Sequence, residues 1–286
     1  MAVTLLTDST DDKSALLEAL ASIPNPAGHP VHIYDDGECR ARAVEQFRGH
    51  PNVLAFQGGH PCWRKITDPL LFTAPGEEAI ILDPDLYFPN HFTFEPTPEQ
   101  GVLLMWQKPN CLVPPETTWA AFDAPARLAH HVDIGVGHMR TPLDLDWLDW
   151  FLGKLGGKAL PRSMHVEAIT WSALAMRMGG GHLDPTRWLC WHRSQWKRVQ
   201  LLLGRKGAKL LRGEALAEAK CFHAGGAAKW WLDEAHRNGW LDFERRLDQA
   251  SPLVPFVELR REDYTRERKL KDALRSLGYY RLIGES

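Results

Sequence analysis

Short apolar runs alternate with helical patterns from the N-terminus onward. Val3–Thr7 reads as a strand, and Leu16, Leu17 and Leu20 mark a helix behind the cap candidates Asp8-Ser9-Thr10-Asp11. After a break at Asn25-Pro26-Ala27-Gly28, Val31–Tyr34 is a second strand, Arg40–Phe47 a helix and Val53–Phe56 a third strand. Strands joined by helix-length crossovers pair in parallel and need helices to cover the sheet, which confines the chain to the α/β class.

The segment Gly59–Phe72, expected to be partly helical, leads to Ala79-Ile80-Ile81-Leu82, which reads as a buried strand ending in Asp83-Pro84-Asp85. Open α/β sheets bind ligands at the carboxyl ends of their strands. Asp83 is held extended by the proline that follows it, and Pro84 has a fixed φ, so the two acids are presented in a restricted geometry. Paired carboxylates suit a hard divalent cation, and such a cation would neutralise a diphosphate. By itself the pattern is also that of an ordinary polar turn.

Beyond this point strands are expected at Gly101–Gln107, Val132–Met139 and Ala219–Phe222. Helices are expected at Leu143–Leu152, Val166–Met178, Arg187–Leu203, Ala227–His236 and Arg261–Leu277. No repeat or long linker interrupts the 286 residues, so residues 1–258 are expected to form one domain, with 259–286 as a helical tail.

Composition narrows the partners. The formal net charge of -2 gives no global field for nucleic acid, so none is expected as a partner. Cys39, Cys62, Cys111, Cys190 and Cys221 are odd in number and form no C-x-x-C, which argues against a disulfide framework or a cysteine zinc site and fits a reducing, cytoplasmic setting. No apolar run approaches the length of a membrane span, so a membrane would be met from its surface. One stretch fits such a contact. Arg187 to Arg212 contains eight Lys or Arg and no acid, interleaved with Trp188, Trp191 and Trp196. As a helix it would present a basic face, with Arg187, Arg193, Lys197 and Arg198, to an anionic lipid surface or an acidic glycan; a core helix with snorkelling side chains is the alternative.

A second segment, Cys221-Phe222-His223-Ala224-Gly225-Gly226-Ala227-Ala228-Lys229-Trp230-Trp231, places a histidine, glycines and a lysine after a short apolar run. An imidazole can ligate a metal, glycines let backbone N–H groups approach phosphate, and a lysine is a point charge for a diphosphate. A glycine-rich turn before a helix, with Lys229 in solvent, would look the same.

Taken together, the two segments resemble the nucleotide-sugar glycosyltransferases of the A-type fold, most closely the glycogenin-like and lipopolysaccharide-galactosyltransferase-like family numbered eight. That family carries D-x-D after an apolar strand and H-x-x-G-x-x-K-P-W near its end. His223, Gly226, Lys229 and Trp231 fall on this spacing, while Trp230 stands where the family has proline. The resemblance implies a single Rossmann-like nucleotide-diphospho-sugar transferase domain with a helical C-terminal portion. It also implies Mn²⁺ or Mg²⁺ held by Asp83, Asp85 and His223.

The donor implied is a nucleotide sugar, a UDP-sugar in particular, transferred with retention to a glycan, lipid or protein acceptor. Thr7-Asp8 is similar to the family's contact with the base, and Asp133-Ile134-Gly135-Val136 to the Asn-x-Gly-Val that lines its sugar pocket. His165-Val166-Glu167 stands where the family has an acidic-Gln-acidic triplet, without the glutamine. Glu167 or Asp133 would then lie near the anomeric carbon, and Lys229 would stabilise the departing diphosphate.

Asp35 and Asp36 suit a ribose or base contact, or a helix cap, and Arg64 and Lys65 could offset diphosphate charge or simply face solvent. Two other readings stand beside transfer. A sugar-nucleotide nucleotidyltransferase would need a glycine-rich basic loop after the first strand, where Asp8-Ser9-Thr10-Asp11-Asp12 is acidic. A catalytically inactive nucleotide-sugar binding protein would tolerate the missing glutamine.

Overall fold

The computed structural model describes residues 2–25, 28–140, 142–241 and 243–282. Pro26 and Ala27 of the expected break and the last four residues of the expected tail lie outside them. The chain is a mixed α/β protein with a helical C-terminal portion, as its pattern predicts. It divides into two compact units, one of Met1–Glu77, Val113–Ala124 and Thr141–Glu167, the other of Glu78–Leu112, Pro125–Arg140 and Ala168–Ser286.

In the first unit, strands Val3–Leu6 and Val31–Tyr34 pair in parallel around the helix Thr10–Ala21. Ser9 caps that helix by accepting from the Asp12 N–H at 3.0 Å. Asp35 and Glu38 form a reciprocal capping box at the start of Asp36–Gln46.

The expected third strand is instead the helix Pro51–Gln57. A four-residue apolar run does not distinguish the two states, and three flanking features decide for the helix. Pro51 sits in its first turn, Val53 and Phe56 are buried at i, i+3 spacing, and Asp149 Oδ1 accepts from the otherwise unpaired N–H groups of Asn52 and Val53 at 2.7 and 3.1 Å.

The second unit is built on a five-stranded mixed sheet, ordered Val254–Pro255, Gly180–His182, Val102–Trp106, Val132–Arg140, Glu78–Leu82. Its central strand buries Val102, Leu103, Leu104 and Met105 completely, each worth about 1.5–3 kcal/mol relative to exposure. Gly180 has φ +107 and leaves no room for a Cβ, which would stand 2.1 Å from the Val102 carbonyl oxygen.

The run Ala79–Leu82 was expected to be a buried strand. It is an edge strand, antiparallel to Val132–Arg140, with Ala79 buried but Leu82 exposed. A strand with a neighbour on one side has less of its surface to hide, and apolarity alone does not report which place in a sheet a strand will take.

A second, three-stranded sheet is ordered Leu86–Tyr87, Cys221–His223, Trp188–Cys190. Trp188 is fully buried against Phe92, Phe94 and His138, and its indole N–H donates to Glu95 at 3.0 Å. Lys220 Nζ lies 2.8 Å from the same Glu95 oxygen, so this buried cation is paired. The helix Arg261–Ser276 belongs to this unit, its Tyr264 hydroxyl donating to the Leu112 carbonyl at 2.8 Å. Among the described residues no helix is long and apolar enough to cross a membrane.

The stretch expected as one helix over Arg187–Leu203 is the strand Trp188–Cys190 followed by the helix Gln195–Leu202. Trp188 and Cys190 pair into the ladder opposite Cys221 and His223, and Ser194 caps the helix, accepting from the Lys197 N–H. The acids missing from this stretch come from elsewhere. Glu214 pairs with Lys197 at 2.6 Å and Glu218 with Arg187 at 3.0 Å.

Candidate metal centre

Backbone pairing fixes the Asp83-Pro84-Asp85 turn on both sides. The Asp83 N–H donates to the Gly135 carbonyl at 2.9 Å, extending the edge pairing of Glu78–Leu82 by one residue. The Asp85 carbonyl accepts from the Ala224 N–H at 3.0 Å, where Leu86–Tyr87 begins to pair with Cys221–His223. The turn is therefore the crossover between the five-stranded and three-stranded sheets, with Pro84 between two pinned residues.

That crossover delivers three side chains to one place. His223 stands opposite Leu86 in the ladder, and its Nε2 lies 3.2 Å from Asp85 Oδ1 and 3.8 Å from Asp83 Oδ2. One ligand atom from each of Asp83, Asp85 and His223 lies within 4.8 Å of the others, and all three residues are half-buried. Two carboxylates and an imidazole form a donor set for a divalent cation such as Mn²⁺ or Mg²⁺, and their mutual spacing fits one ion.

The other imidazole nitrogen is occupied. Nδ1 lies 2.8 Å from Asp133 Oδ1, which also accepts from the Gly135 N–H at 2.9 Å. A Cβ at Gly135 would stand 2.6 Å from Nδ1, so glycine is what allows the ring to lie against this strand. Cys190, the parallel-strand partner of His223, donates to the Asp133 carboxylate.

The electrostatics follow from these contacts. Burial works against charge on His223, but the Asp133 and Asp85 carboxylates more than offset it and lift the imidazole to about 10. Asp85 is lowered from the ordinary carboxylate value, mainly by its hydrogen bond with His223. Burial would raise Asp133, yet the charge and hydrogen bond of His223 leave it lowered. Burial, with the neighbouring Asp133 charge, pushes the Cys190 thiol well up, so it stays protonated.

Lys229 stands on the 3₁₀ helix Gly226–Trp231, its Nζ 4.0 Å from Asp85 Oδ2 and over the Trp230 ring at 5.4 Å. Gly226, at φ +63, makes the turn from the strand into that segment and has open space where a Cβ would be. Asp83, Asp85, Asp133, His223, Gly226 and Lys229 are thus brought together by the second unit.

The remaining candidates lie in the first unit. Thr7 Oγ1 donates to the Ser9 carbonyl at 3.1 Å, and Asp35 is the helix cap. Arg64 Nη1 lies 3.4 Å from Asp8 and 3.1 Å from Asp36, while its Nε donates to the buried Asp68 at 2.7 Å. Lys65 Nζ lies 3.2 Å from Glu167 Oε1.

Cys190 is the participant that sequence reasoning missed. No spacing links it to His223, and only the parallel register of two three-residue strands sets them side by side.

The fold is similar to that of mouse xyloside xylosyltransferase 1 in its apo form, at 12% identity over 78% of this chain and 84% of that chain, with a TM-score of 0.45. No protein-family model and no curated protein matches the sequence. The functional reading rests on the geometry of the site.

Proposed function

We propose that the chain is a metal-dependent glycosyltransferase that moves a sugar from a nucleoside-diphosphate sugar, a UDP-sugar in particular, to a glycan, lipid or protein acceptor with retention of configuration. The observation that carries this reading is the convergence of Asp83, Asp85 and His223 at a turn pinned between two sheets, with Lys229 beside it. These three side chains would hold a divalent cation, which would supply Lewis-acid neutralisation of the diphosphate.

The chain's own residues have distinct parts. Asp83 and Asp85 are charged oxygen donors fixed by backbone pairing on both sides. His223 offers Nε2 while Asp133 accepts from Nδ1–H, which sets the tautomer and the ring plane. Asp133 is therefore a positioning residue, with Gly135 providing the space for the ring. Lys229, partly exposed beside the cluster, would place a positive charge where negative charge develops on the leaving group. Arg64, surrounded by Asp8, Asp36 and Asp68, is a structural cation of the first unit rather than a diphosphate clamp.

The test is release of nucleoside diphosphate from a panel of nucleotide sugars in Mn²⁺. Metal-dependent release from at least one UDP-sugar is the expected result. No release from any member by folded protein, with or without candidate acceptors, would count against transfer and favour a binding role.

A further inference from the structure

The helix Gln195–Leu202 is turned inside out relative to an ordinary surface helix. Beyond the exposed Gln195 at its first position, Lys197, Arg198 and Gln200 are half-buried along with Leu201, whereas Trp196, Val199, Leu202 and the following Leu203 are exposed, at 66%, 40%, 56% and 79%. Their separations of three and four residues put them on one stripe of the helix surface. Lys197 is held inward by Glu214 at 2.6 Å, the His192 carbonyl at 2.9 Å and the Trp191 ring at 4.1 Å, so the exposed face is apolar because its nearest cation is tied down behind it.

The surroundings of this face are basic. Arg205, Lys206 and Lys209 follow directly and are exposed, with Glu234 3.8 Å from Lys206. A tryptophan and leucines pointing outward beside exposed bases match, in polarity and charge, the boundary between acyl chains and anionic headgroups. A second protein would need complementary acids around an apolar socket, and a second copy of this face would bring like charges together.

We propose that this helix lies in the plane of an anionic membrane surface, with Trp196, Val199, Leu202 and Leu203 inserted among the acyl chains and Arg205, Lys206 and Lys209 on the headgroups. This reverses the arrangement expected from the sequence, in which Arg187, Arg193, Lys197 and Arg198 would meet the lipid. The insertion is apolar, and the charge that selects the lipid comes from the turn after the helix. The proposal is independent of the metal centre and holds whatever that centre does.

The test uses the full chain and sedimentation with phosphatidylcholine vesicles, either pure or containing phosphatidylserine. The expected result is binding to the anionic vesicles that falls as salt is added. Replacing Arg205, Lys206 and Lys209 by Gln lowers affinity for anionic vesicles about fivefold per charge. Trp196→Ser with Leu203→Ser abolishes sedimentation with the anionic vesicles while leaving the melting temperature unchanged, since both side chains are exposed in the folded state. Wild-type protein that stays in the supernatant with anionic vesicles at low salt would overturn the proposal. So would a dimer in light scattering that Leu203→Ser dissociates, because the face would then be an interface between copies of the chain.

Discussion

Asp133 Oδ1 lies 2.8 Å from His223 Nδ1, leaving Nε2 as the imidazole nitrogen that faces Asp85 and Asp83. A carboxylate behind a metal-ligating histidine fixes its orientation and raises its basicity, and loss of such a partner costs about 10- to 100-fold in metal affinity. Asp133→Ala is expected to weaken Mn²⁺ binding by that factor in calorimetry. Asp133→Asn, which keeps an acceptor oxygen, should lose less. Equal Mn²⁺ affinity in all three proteins would remove Asp133 from this part.

Gly135→Ala tests the same contact from the other side. The new methyl would stand 2.6 Å from Nδ1 in the present geometry, so the ring must move off the carboxylate. Metal affinity should fall as far as in Asp133→Ala, although both ligand sets are chemically intact. Unchanged affinity would show that the ring position is not what matters.

Much of this cluster was legible in the chain before any coordinates. Acids after an apolar run and a histidine before glycines each also read as an ordinary turn; Asp83, Asp85, His223 and Lys229 stood out because the two segments together fall on the spacing of a family they resemble. What could not be read were relations made by pairing between distant strands: the parallel register that sets Cys190 beside His223, and the edge position of Glu78–Leu82. The same limit explains Arg187–Leu203. Eight bases without an acid between Arg187 and Arg212 look like one charged face, but Glu214 and Glu218 enter from the following segment and Trp188 is drawn into a sheet. At Val53–Phe56 the misleading signal was brevity, since four apolar residues fit either period.

The pH dependence of stability carries a sign. Without metal, His223 titrates near 10, above the ordinary imidazole value of about 6.5, so its contribution is complete below about 6.5 and is lost as pH rises through about 10. Melting temperature in chelator should therefore decline over that window, and His223→Gln should flatten the decline. Mn²⁺ affinity should rise over the same range, because the cation needs Nε2 without its proton. A chelated protein whose melting temperature is level from neutral pH to pH 10 would contradict the coupling of His223 to its carboxylates.

Lys229 is 42% exposed in its side chain and makes a 4.0 Å contact with Asp85, so it does little for the fold. Lys229→Ala should leave the melting temperature within about 1 °C while lowering turnover on the order of 10², the scale seen when one group stabilising developing negative charge is removed. Full turnover in this variant would place Lys229 in solvent.

The Glu95 and Lys220 pair should behave in the opposite way. Both side chains are 1% exposed, and Glu95→Ala leaves the ammonium buried without its counter-charge, at an expected cost of about 3–5 kcal/mol. Chemical denaturation measures this directly; a loss under about 1 kcal/mol would mean that Lys220 finds water or another partner.

The central claim is that Asp83, Asp85 and His223 hold a cation through which a nucleoside diphosphate binds. Titration of UDP into the protein by calorimetry, once in Mn²⁺ and once in chelator, tests it most directly. The account predicts tight binding in Mn²⁺, weak binding in chelator, and an Asp85→Ala variant that binds weakly in both. Equal UDP affinity in Mn²⁺ and in chelator, or full Mn²⁺-dependent binding by Asp85→Ala, would contradict it.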